Sequence, residues 1–128
     1  MRRIASVMLA VGLGLVLVGC AETTVRGPEN KSLTLVVPRS LAIHQGQTEA
    51  VEVGIQREKV PGRVRVWISQ LPGGVTARES SMTVETDAAT FVLTADETAG
   101  RVAEHVVMVT AEGPEGMRAT GEIRLTVK

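Results

Sequence analysis

Aromatic and thiol chemistry are nearly absent from this chain. Its 128 residues include one Cys, one Trp, one Phe and no Tyr. A single cysteine excludes an intramolecular disulfide and any Cys-x-x-Cys zinc or redox site. Two aromatics, Trp67 and Phe91, leave little from which to build the exposed platforms that secreted sandwiches use to bind sugars. Neither sign of charge is in excess, with 14 Lys and Arg against 14 Asp and Glu. The basic stripe that a nucleic-acid footprint requires is therefore missing, and no nucleic acid is expected as a partner. His and Asp are few: His44, His105, Asp87 and Asp96 account for every one. No Gly-x-Ser-x-Gly elbow, His-x-x-x-His pair or Asp-rich calcium loop occurs, and Pro72-Gly73-Gly74 reads as a turn, not as a phosphate loop. No metal, no cofactor and no enzymatic activity are expected.

What is present begins with an N-terminus unlike the rest. Arg2 and Arg3 precede residues 4–18, an uncharged stretch rich in Leu, Val, Ala and Gly. Its length suits the apolar region of an export signal and falls short of the roughly 20 residues that span a bilayer. Gly12, Gly14 and Gly19 also weaken it as a core helix. The stretch closes on Leu17-Val18-Gly19-Cys20. This resembles the lipobox of bacterial lipoproteins. The resemblance implies removal of residues 1–19, a diacylglyceryl group on the Cys20 thiol and anchorage to a membrane of the cell envelope. Two acyl chains, at about 0.8 kcal/mol per buried methylene, suffice for stable anchoring without a transmembrane helix. In enterobacterial lipoproteins an Asp after the Cys marks inner-membrane retention; Ala21 stands there instead and points to the outer membrane.

Without Arg2 and Arg3 the mature chain has 12 basic and 14 acidic residues, a formal charge of −2. Residues 20–31 hold mostly Glu, Thr, Arg, Gly, Pro and Asn, with Val25 the one strongly apolar member. They read as a flexible tether. Residues 32–128 suit one domain. Apolar residues there alternate with a period of two: Leu33, Leu35, Val37; Val51, Val53, Ile55; Val64, Val66, Ile68; Phe91, Leu93, Ala95; Val107, Val109; Ile123, Leu125, Val127. Turn signals separate them at Gly46, Pro61-Gly62, Pro72-Gly73-Gly74, Asp87, Gly100 and Gly113-Pro114-Glu115-Gly116. About seven short strands in this length predict an all-β, immunoglobulin-like antiparallel sandwich.

The strand series also resembles a bacterial immunoglobulin-like module of secreted and surface proteins. The likeness rests on Leu35-Val36-Val37-Pro38, on Leu41-Ala42-Ile43-His44-Gln45-Gly46 and on the valine strand that ends at Arg57. It continues through Val64 to Ser69, the specific Leu71-Pro72-Gly73-Gly74-Val75 segment and Phe91-Val92-Leu93. It covers most of residues 32–127. Such modules serve as spacers, adhesion units and non-catalytic appendages, so the resemblance speaks to fold more than to task.

Candidate site residues follow from phase. Phe91 shares the phase of Leu93 and Ala95 and belongs in the core. With Val64, Val66 and Ile68 inward, Trp67 faces out beside Arg65 and Ser69. Val106 and Met108 are out of phase with Val107 and Val109. In this fold the third strand pairs with the sixth, which brings Trp67, Arg65, Val106 and Met108 onto one surface, a candidate contact patch. A bulge, a register shift or shielding by Arg65 and a loop would remove the patch. His44 reads as a turn histidine and His105 as packing at the core edge. A Ser80 or Ser81, His105, Asp87 triad exists on paper without a motif behind it. The expected function is a non-catalytic, lipid-anchored envelope module that contacts an envelope protein or a second copy of itself. A ligand-binding or carrier lipoprotein of the periplasm is the alternative, and an internal apolar cavity would favour it.

Overall fold

The computed structural model describes residues 19–128. The signal segment, with Leu17 and Val18 of the lipobox, lies outside the described residues. Ten strands occur among the described residues: β1 Cys20–Arg26, β2 Ser32–Pro38, β3 Ser40–Ile43, β4 Thr48–Glu58, β5 Val64–Ser69, β6 Val75–Ala77, β7 Ser81–Val84, β8 Ala88–Ala95, β9 Val102–Glu112 and β10 Arg118–Val127. The three beyond the expected seven or so come from the shortest strands, which offer too few residues for an alternation to register, and from β1.

The strands form two five-stranded sheets. The first runs β1-β2-β4-β8-β6 and the second β3-β10-β9-β5-β7. Within the first, β2-β4-β8-β6 has the A-B-E-D order of an immunoglobulin-like sandwich; within the second, β10-β9-β5 has its G-F-C order. Pro38 ends β2, the chain crosses at Arg39, and β3 pairs in parallel with β10. Strand β7 adds to the free side of β5.

Period-two alternation becomes burial. Leu33, Leu35 and Val37 of β2, Val53 and Ile55 of β4, and Phe91 of β8 meet Val64, Val66, Val109, Ala111 and Leu125 of the opposite sheet, all fully buried. Each large side chain removed from water here contributes about 1.5–3 kcal/mol. Gly121 of β10 lets Val37 come close: a Cβ on it would stand 3.0 Å from a Val37 methyl.

The segment expected to be a flexible tether is an edge strand over most of its length. β1 pairs with β2 from Cys20↔Pro38 to Arg26↔Ser32. An edge strand needs only one modestly apolar face, because its neighbour supplies the backbone hydrogen bonds. Ala21, Thr23 and Val25 provide that face, half-buried, while Cys20, Glu22, Thr24 and Arg26 are exposed. The β1–β2 turn, Gly27-Pro28-Glu29-Asn30-Lys31, has the same form as the β9–β10 turn, Gly113-Pro114-Glu115-Gly116-Met117. In the first, Gly27 N–H donates to Lys31 O and Lys31 N–H to Pro28 O. In the second, Gly113 N–H donates to Met117 O and Met117 N–H to Pro114 O. Glu29 and Glu115 both take positive φ, 61° and 59°. The turns lie together: the Lys31 ammonium donates to the Glu115 carboxylate, and Met117, buried, packs on Gly27.

Candidate functional site

Strand β5 places Val64, Val66 and Ile68 in the core, with Arg65 exposed and Trp67 and Ser69 half-buried on the outer face of the second sheet. Register then selects the neighbours of Trp67. It stands opposite Thr110 on β9 and Ser81 on β7. Met108 lies opposite Ser69, diagonal to the indole on the same face. Val106 is further along that face, opposite Arg124 of β10 and beyond the end of β5. The structure thus brings Trp67, Arg65 and Met108 together and leaves Val106 at the margin.

Three further residues complete the face. Thr110 points outward yet is only 7% exposed, flanked by Trp67 on one side and Thr120 on the other. Arg118 and Arg65 both stand opposite Glu112, so the three form a row across β10, β9 and β5. The guanidinium carbon of Arg65 sits 4.8 Å from the indole centroid and that of Arg118 sits 5.4 Å from it. Both distances are within cation–π range. Hydrogen bonds fix the two arginines: Arg65 Nε donates to Ser81 Oγ at 3.3 Å and Arg118 Nη2 to Glu112 Oε2 at 2.8 Å. Trp67 is thus an aromatic framed by two oriented cations rather than a bare sugar platform. Phase alone reaches Thr110 and Glu112, two and four residues past Met108. Arg118 needed the hairpin register as well, which the Gly113-Pro114 turn sets.

The paper triad is not assembled. Ser81 faces Trp67; His105 lies at the far end of β9, its Nε2 2.8 Å from Gln70 O; Asp87 sits in the turn before β8, where its carbonyl accepts from Ile55 N–H at 2.7 Å. His105 is half-buried at the core edge, just after a bulge in which Glu104 takes φ 50°. His44 is exposed at the end of β3, in a turn where Gln47 N–H donates to its carbonyl. Among the described residues no three His, Cys, Asp or Glu side chains gather as a metal site.

Cys20 is an exposed free thiol at the start of β1. Its side chain belongs to the outer face of the first sheet, in the phase of Glu22 and Thr24 and opposite Pro38. Among the described residues, two solvent-open cavities stand out. One, of about 350 Å³, runs between β1 and β10 and is lined by Ala21, Thr23, Arg39, Thr120 and Glu122 among others. The other, of about 500 Å³, lies at Gly54 beside Val36, Gln56, Arg57 and Asp87. Arg57 there ties two loops together, donating to Gly62 O and Thr86 O at 2.7 Å each. The Glu115 carboxylate raises the Lys31 ammonium above the ordinary lysine range, chiefly through their hydrogen bond and against some desolvation.

No family model matches the sequence, and no curated protein matches it. Among solved structures the chain is similar to a chimeric titin Z1Z2 functionalized with a KLER exogenous peptide from decorin. The identity is 17%, the match covers 86% of this chain and 99% of that one, and the TM-score is 0.39. The fold assignment stands on the strand order given above.

Proposed function

We propose that this protein is a non-catalytic envelope lipoprotein, anchored by acyl chains on Cys20, whose immunoglobulin-like sandwich presents the Trp67 face to a protein partner. The observation that carries the reading is the position of Cys20. It is an exposed thiol at the start of β1 and directly after Leu17-Val18-Gly19. A lipidated cysteine at that point leaves the whole sandwich outside the membrane. Among the described residues no helix is long and apolar enough to cross a bilayer.

The partner-binding half of the reading rests on chemistry that folding does not require. A single Trp held on an outer face between Arg65 and Arg118, with Met108 beside it, offers what protein interfaces favour: an aromatic and arginines of low remaining freedom. Outer-membrane placement, as Ala21 suggests, and an envelope protein as partner, with a second copy as the other possibility, belong to the same proposal. The carrier reading lacks a supporting observation, because the two described cavities are open clefts and the space between the sheets is filled by Phe91, Leu35, Ile55 and their neighbours.

Expression in a bacterial envelope tests both halves. The wild-type protein is expected in the membrane fraction and Cys20→Ser, exported with an ordinary cleaved signal in place of residues 1–19, in the soluble fraction. Crosslinking followed by mass spectrometry is expected to recover a partner that Trp67→Ser no longer captures. Membrane association unchanged in Cys20→Ser would refute the anchor. Unchanged capture by Trp67→Ser would refute the face.

A further inference from the structure

The anchor and the Trp67 face have a fixed mutual geometry. Cys20 is held in β1, paired with Pro38, and the strand runs on in register to Arg26 opposite Ser32. A flexible segment of about eleven residues would let the domain take any orientation, with an r.m.s. reach of about 5–6 Å times the square root of its length. The strand leaves only the cysteine side chain and the glyceryl group as joints. The Cys20 side chain leaves from the outer face of the first sheet, in step with Glu22 and Thr24, whereas Trp67 leaves from the outer face of the second. Two packed sheets, about 10 Å apart, separate the two faces.

Building on the lipoprotein reading above, we infer that acylation of Cys20 seats the sandwich with the first sheet toward the lipid headgroups, so that the Trp67 face points away from the membrane. The first sheet suits that contact. Around Cys20 it presents Pro38, Val36, Thr24 and Thr34 with one carboxylate, Glu22, among them, and the Thr24 and Thr34 hydroxyls already bond each other at 2.8 Å. A partner reaching Trp67 therefore comes from the aqueous side. It need not insert between protein and lipid.

Trp67 is the chain's only tryptophan, which makes it the reporter. The full lipoprotein is reconstituted in phosphatidylcholine vesicles doped with lipid brominated on its headgroup, a contact quencher of indole fluorescence. Wild-type emission is expected to survive brominated lipid and to respond to aqueous acrylamide. A second variant, Thr24→Trp with Trp67→Phe, moves the indole to the first sheet and is expected to lose most of its emission in the same vesicles. Quenching of Trp67 by brominated lipid, or of neither indole while the protein still floats with the vesicles, would overturn the orientation. Failure to float, with no mass added at Cys20, would instead remove the lipoprotein reading and the orientation with it.

Discussion

The two outer faces of this sandwich are built from the same kind of strand and finished differently. The first sheet's face carries threonines and small residues with scattered polar groups, Glu22, Glu52, Gln56 and Glu58, that have no aromatic among them: Thr24 bonds Thr34 at 2.8 Å, Thr48 bonds Thr94 at 3.1 Å, and Val36 stands opposite Gly54. These β-branched side chains suit a pleated surface and satisfy one another across strands, which is all that sheet formation asks. The second face carries Trp67, Met108, Arg65, Glu112 and Arg118, large groups held in defined positions by mutual contacts. Sheet stability does not require an indole framed by two guanidiniums. The difference between the faces locates the surplus chemistry, and a function that needs recognition is best sought there.

Substitutions can break that contrast or sharpen it. Phe91 supports both sheets from within, so Phe91→Ala is expected to cost about 3–5 kcal/mol and to disorder the two faces together, seen as a large fall in Tm. Trp67→Ser removes a half-buried ring and two cation–π contacts of about 0.5–1 kcal/mol each. A loss of about 1–2 kcal/mol is expected in denaturant melts, with partner capture abolished; a loss as large as that of Phe91→Ala would mean that the ring is core. Thr24→Ala breaks only a cross-strand hydroxyl pair and should cost about 0.2–1 kcal/mol, leaving partner capture intact.

The smallest expected effect is at the pole the faces share. Lys31 is raised above its ordinary value by Glu115, so the stabilisation it brings is fully present below the ordinary lysine range. It is lost as pH rises through the folded-state value. Alkaline melts of the wild type should therefore fall slightly more steeply than those of Lys31→Met, and equal slopes would show that the contact is silent.

The two Gly-Pro-Glu turns show why some of this was legible and some was not. At Gly113-Pro114-Glu115-Gly116 the flanking residues alternate apolar and polar on both sides, so a hairpin is readable. At Gly27-Pro28-Glu29-Asn30 the leading strand is Cys20 to Arg26, whose inward residues are Ala21, Thr23 and Val25. Composition treats those as a tether, because it counts apolar side chains and has no measure of the backbone pairing β2 offers. Phase alone set the outward position of Trp67, as it did the inward position of Phe91. The second cation over the ring was hidden, since Arg118 is 51 residues away in sequence and meets Trp67 only through the β9–β10 and β9–β5 registers.

The proposed anchor turns on whether Cys20 is acylated. Intact-mass spectrometry of the protein extracted from bacterial membranes reads it directly. The account predicts a chain that begins at Cys20 and carries the mass of a diacylglyceryl group, lost in Cys20→Ser. A membrane-extracted chain with an unmodified Cys20 thiol, or one that begins elsewhere, would contradict it.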